Sequence, residues 1–324
     1  MNAADLFSPH DVRPGIPPEK VPWGPVAAFL GTAFGLGWLV CLPLWLGDGL
    51  QDPLFLVLVP LLMFTPTVAA LMVTFVTVKK GARSRYLGLL PFRPIARKIW
   101  LFVLLPIGFV LWAVGSFWMA TLLGWAEADW ALEAQRAALP AGMELDAVLV
   151  IQLLTFPLVL LQATFFAFGE ELGWRGYLTT ALSPLGFWPS ALISGVVWGA
   201  WHAPIILLGY NFGRTDGWGV VMMIGFCLFV GILLQWTRYW TRSVWPAALG
   251  HGALNTAAPV GLLFATPDLN PFWGSFLGIP GWILLAVIIA VLLLLRQFRP
   301  APDWTPKPDA RAAQPGFGSG RDDA

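Results

Sequence analysis

Glu170, Glu171 and Arg175, then His202, then His251 with Asn255 are polar groups set into the apolar stretches of a 324-residue chain. A carboxylate, two imidazoles and an amide are the equipment of general acid–base chemistry. Glu170, His202 and His251 could also supply three ligands to a catalytic zinc, and a Glu/His set suits a proton relay too. Ionisable groups in such stretches are costly and mark function by default. Spacing sorts the charges. Glu171 precedes Arg175 by four residues, the favourable order for an ion pair on one helix face. Glu170 lies about 100° around the helix from Glu171. Arg175 is therefore expected to neutralise Glu171 and leave Glu170 available. His251 and Asn255, also four apart, share a face. Taken singly, each group has a structural reading as a packed histidine, a bracing ion pair or an interhelical amide. Joint placement on three segments favours a site.

The elements that must position these groups are long and apolar. The chain is 57% hydrophobic and 11% charged, against about 25% charged in an ordinary soluble domain. Too little polar surface remains to cover a soluble core, so the expected solvent is a lipid bilayer. Nineteen tryptophans suit the interface between lipid and water. The net charge of +1 suggests no partner, and no nucleic acid is expected. The expected fold class is all-α, a polytopic bundle of about eight transmembrane helices of roughly 20 residues each. They run from Trp23 to Gly47, Pro53 to Val78, Ile99 to Trp125, Ala147 to Leu182, Pro189 to Gly209, Trp218 to Trp236, Val244 to Ala265 and Pro271 to Leu295.

Lys79, Lys80, Arg83, Arg85, Arg93, Arg97 and Lys98 fill one loop without an acid. Basic loops stay on the cytoplasmic side. Glu127, Asp129, Glu133, Glu144 and Asp146 face a single Arg136 in the next loop, which fits the outside. Arg238 with Arg242 marks a cytoplasmic turn, and Arg296 with Arg299 a cytoplasmic end, so both termini are expected inside. The domain organisation expected is a polar arm over 1–22, a transmembrane domain over 23–296 with its motif core at 147–265, and a disordered cytoplasmic tail over 297–324. The arm holds the third histidine, His10, read as solvated, and lacks the pattern of a signal peptide. Cys41 and Cys227 sit in apolar runs and read as buried small hydrophobes. Gly31 with Gly35 and Gly195 with Gly199 are spaced for close helix approach.

Residues 183 to 188, S-P-L-G-F-W, form a short turn between the fourth and fifth segments. Short connections make antiparallel neighbours. Glu170 and His202 are each sixteen residues from Gly186, so they should lie at similar depth unless Gly169 and Gly173 kink the helix. His251, nine residues past Arg242, reaches about 14 Å into the layer. Gly250 and Gly252 beside it allow another backbone close.

E-E-L-G-W-R-G-Y-L, W-G-A-W-H and S-V-W-P-A-A-L-G-H-G-A-L-N resemble, in order, the three motifs of the CPBP family. These are the CAAX proteases and bacteriocin-processing enzymes, also called type II CAAX endopeptidases. The motifs cover residues 170 to 255. Trp198 stands where the family usually has phenylalanine, an exchange of aromatics that bears on local packing. The resemblance implies an intramembrane glutamic endopeptidase. Glu170 would be the catalytic glutamate, His202 would orient water, His251 and Asn255 would stabilise the oxyanion, and Glu171 and Arg175 would support the site. It implies no cofactor, with zinc on Glu170, His202 and His251 as the alternative. The implied partners are the bilayer and a membrane-associated protein or peptide, lipidated or not. The expected location is the bacterial inner membrane, with the site toward the cytoplasm. A non-catalytic immunity or scaffold protein of the same fold and a proton-coupled transporter are the other readings.

Overall fold

Long runs of Leu, Val, Phe and Ala with few interrupting charges satisfy their backbone polar groups within helices, which lipid requires of a spanning chain. The structure is a computed structural model that describes residues 18–90 and 95–298. Its main helices are α1 (Trp23–Leu46), α2 (Phe55–Met63), α3 (Thr65–Thr77), α4 (Ile95–Leu122), α5 (Leu145–Glu171), α6 (Phe187–Trp201), α7 (Gly217–Thr241), α8 (Trp245–Gly261) and α9 (Ile279–Leu294). Among the described residues there is no strand, only one isolated bridge between Ala128 and Ala265. The all-α class is as expected.

Six helical runs are long and apolar enough to cross a membrane by length and composition: Trp23–Leu46, Phe55–Thr77, Ile95–Leu122, Leu145–Leu185, Gly217–Thr241 and Pro271–Leu294. The fifth and seventh expected segments correspond to α6 and α8, of 15 and 17 residues. Both pack against longer neighbours: α6 along α7, and α8 between α4 and α5. Leu153, Leu154, Leu158, Leu161 and Phe165 of α5 are exposed. An apolar outer face of this size suits lipid and would be a liability in water. The expected arm from 1 to 22 and tail from 297 to 324 fall largely outside the described residues, with His10, Arg93 and Arg299.

Two glycine pairs behave differently. Gly31 and Gly35 face open space, whereas a Cβ at Gly195 or Gly199 of α6 would collide with the backbone of α7 at Leu228 or Ile224. The second pair is therefore the helix-contact motif. Gly252 lets α8 approach α5, since a Cβ there would lie 2.6 Å from Thr164 Cα.

Arg238 stands in the last turn of α7. Read as a charge marking a cytoplasmic turn, it is buried. Its Nε donates to the Arg175 carbonyl at 3.0 Å and its Nη2 to Thr180 Oγ1 at 3.2 Å. A long cationic side chain can be buried where its donors meet carbonyl and hydroxyl acceptors. Sequence position alone did not distinguish this from a solvated loop charge. Cys41 and Cys227 are buried and free, as expected.

Candidate active site

The α5 helix does not stop at Glu171. It passes into a π-helical stretch, Leu172–Leu178, and then a further α turn, Thr179–Leu182. Widened turns of this kind recur at functional sites. Every residue of the stretch is buried, and Gly173 lies directly against Pro66 of α3. The anticipated irregularity thus starts just after the two glutamates. Gln235 of α7 fixes both sides of the following turn. It accepts from Thr179 Oγ1 at 3.1 Å and donates to the Phe187 carbonyl at 3.3 Å and Ser190 Oγ at 3.1 Å. The turn that leads into α6 is thus held by α7 as well as by its own backbone.

Glu171 and Arg175 pair as their spacing requires, with Arg175 Nη1 2.8 Å from Glu171 Oε1 and both side chains buried. The same Oε1 lies 2.9 Å from His251 Nδ1. The brace therefore includes a third group from α8, eighty residues away in sequence. Glu170 is not left without a partner. Its Oε2 accepts from Trp198 Nε1 at 2.7 Å. The Arg175 guanidinium lies over the Trp198 ring, 4.3 Å from its centroid, a favourable place for a cation. The His251 ring meets the indole edge to face at 5.2 Å. Trp198 thus touches both halves of the charge cluster.

His202 follows the last turn of α6, and its Nδ1 is 2.8 Å from the Trp198 carbonyl. A carbonyl only accepts, so Nδ1 carries the proton and Nε2 of the neutral ring is the acceptor. His251 Nδ1 likewise faces a carboxylate, which leaves its Nε2 as the second nitrogen.

A cavity of about 460 Å³ brings the expected groups together: Glu170, Trp198, His202, His251 and Asn255 all line it. Asn255 is exposed, whereas Glu170 and His251 are buried. Glu171 and Arg175 lie behind this wall. Most of the remaining lining is apolar, including Val59, Leu62, Met223, Phe226 and Phe276. Tyr210 and Asn211 also line the cavity, and sequence reasoning missed both. Their signal was weak, a polar pair in a loop rich in glycine. Among the described residues, no three His, Cys, Asp or Glu groups are gathered so that they could hold a metal ion.

Residues 152–257 match the family model described as type II CAAX prenyl endopeptidase Rce1-like. The match covers about a third of the chain. Every residue expected at the site lies within it, from Glu170 to Asn255. A curated relative, CAAX prenyl protease 2 of Methanococcus maripaludis, is 33% identical over 105 residues, covering 30% of this chain and 37% of that protein. The similarity therefore spans well under half of either chain. The similarity to a membrane protease family and the six apolar helices together support an integral membrane protein.

Phenylalanine at position 198 could not donate to Glu170. Hydrogen bonds to charged groups contribute about 1.5–3 kcal/mol, and each 1.36 kcal/mol is about tenfold in rate. Trp198→Phe is expected to leave a folded protein whose kcat for peptide cleavage falls about 10- to 100-fold with KM little changed. Steady-state kinetics on the purified variant check this, and an unchanged kcat would show that the indole only packs.

Proposed function

We propose that this protein is an intramembrane endopeptidase that hydrolyses a peptide bond in a membrane-associated protein or peptide. The observation that carries the reading is the single cavity lined by Glu170, His202, His251 and Asn255 within the stretch that matches the peptidase family. Glu170 takes a proton from a water whose oxygen bonds to the scissile carbonyl carbon. His202 Nε2 accepts the second hydrogen bond of that water and orients it. Negative charge moves to the carbonyl oxygen, where His251 and the Asn255 amide meet it. The carbon–nitrogen bond then breaks, and the proton held by Glu170 passes to the departing amine.

Each supporting contact has a part in this scheme. The Trp198 N–H holds one oxygen of Glu170 and leaves the other for water. Glu171 holds the His251 ring through Nδ1, and with the ring doubly protonated its Nε2–H donates to the oxyanion. Arg175 balances the Glu171 charge. The apolar lining suits a lipidated substrate. The relative's name, CAAX prenyl protease 2, makes a prenylated C-terminal peptide the first to try. The cytoplasmic face of a bacterial inner membrane is the proposed setting for the site.

The chemistry proposed uses no metal. With purified protein in detergent and a farnesylated peptide ending in a C-a-a-X sequence, cleavage is expected to survive exhaustive chelation at its full rate. Zinc bound one to one, with activity lost on its removal and recovered on its return, would instead assign Glu170, His202 and His251 as ligands.

A further inference from the structure

The loop between α6 and α7 contains a strained turn at the cavity. Phe212 N–H donates to the Tyr210 carbonyl at 2.8 Å, closing a three-residue γ-turn around Asn211. Asn211 has φ 67°, the left-handed value that makes this form of γ-turn rare and strained. The surroundings enforce it. Phe212 is buried, and the Tyr210 ring packs on Phe55 at 5.9 Å. Strain of this kind persists where neighbouring structure over-determines it, and it clusters at binding and catalytic sites.

Asparagine tolerates left-handed backbone better than most residues, so its presence could reflect backbone need alone. The loop argues otherwise. Gly209 and Gly213, on either side, both have positive φ, 102° and 64°. Glycine would relieve the strain at 211 as well, yet the position carries an amide. That amide lines the same cavity as Glu170 and His202. Its Nδ2 contacts Met223 Sδ at 3.8 Å, and thioether sulfur is a weak acceptor. A better acceptor could displace this contact at little cost.

A peptide entering an apolar cavity to be cut must unfold locally, and its freed N–H and C=O groups then need partners. The proposed reaction uses Glu170, His202, His251 and Asn255 at the scissile bond. Tyr210 and Asn211 are polar groups of the same wall outside that set. A side-chain amide is suited to the task because it offers both a donor and an acceptor.

We propose that Asn211 is a substrate-binding residue that pairs with the backbone of an extended peptide beside the scissile bond. The proposal rests on the endopeptidase reading of the same cavity. Asn211→Gly separates the two explanations, because it keeps the backbone conformation and removes the amide. The full-length protein in detergent is assayed with the farnesylated C-a-a-X peptide. Binding of that peptide is measured separately by isothermal titration, with Glu170→Gln as the background so that no cleavage intervenes. Losing one neutral hydrogen bond costs about 0.5–1.5 kcal/mol. KM and the dissociation constant are therefore each expected to rise about 2- to 10-fold in the glycine variant, with kcat and melting temperature nearly unchanged. Wild-type KM and affinity in Asn211→Gly overturn the proposal while leaving the endopeptidase reading intact. Peptide that binds but is never cut, with weaker binding after Asn211→Gly, supports Asn211 and overturns the endopeptidase reading. Binding to neither form overturns both.

Discussion

Glu170→Ala is expected to reduce peptide cleavage by about 10⁴-fold, the upper end of the range for loss of a general base. Asn255→Ala is expected to retain measurable activity, down about 100- to 1000-fold, as when one oxyanion donor is removed. The structure makes the comparison clean. Asn255 is exposed on the cavity wall, so its truncation removes little packing. Glu170 is buried, so Glu170→Gln is the companion variant: its amide oxygen can still accept from Trp198 while the base is gone. Rates are compared on folded protein with one peptide. Equal and mild losses in Glu170→Ala and Asn255→Ala would contradict the division of roles.

The second large effect falls on stability. Glu171 and Arg175 are both fully buried and 2.8 Å apart. Removing one member of such a pair leaves a charge without compensation and costs about 3–5 kcal/mol. Glu171→Gln is expected to destabilise the protein by that amount and also to release His251 from its 2.9 Å contact. Replacing the pair with apolar residues of similar size, Glu171→Leu with Arg175→Met, is expected to recover most of the stability, because a buried pair contributes little net over good packing. Activity should not return with it, because His251 then lacks the carboxylate that orients it. Reversible unfolding in mixed micelles measures the stability terms. Wild-type stability in Glu171→Gln would show that Arg175 finds another partner.

Local spacing carried much of the site. Four-residue separation sorted Glu171 with Arg175 and set Glu170 apart, and the short turn at Gly186 returned α6 beside the stretch that follows Glu171, where Trp198 reaches Glu170. The step from three short motifs to one cavity was harder. Contact between Glu171 and His251 joins helices eighty residues apart, and periodicity within one helix carries no information about it. Trp198 was legible as an aromatic of the right size, but the aim of its N–H depends on how α6 is rotated against α5. Arg238 looked like a loop charge because burial of a cation depends on acceptors elsewhere, here the Arg175 carbonyl and Thr180. Asn211 was invisible because a left-handed γ-turn leaves no periodic trace.

The most direct measurement compares cells producing the wild-type protein with cells producing Glu170→Gln at equal membrane abundance. Peptide termini of all membrane-associated proteins are sequenced by mass spectrometry. An endopeptidase dependent on Glu170 yields a set of new carboxyl termini in the wild-type membranes that is missing in the variant, with the uncut precursors accumulating in its place. Identical termini in both, at matched abundance, would contradict peptide hydrolysis by Glu170.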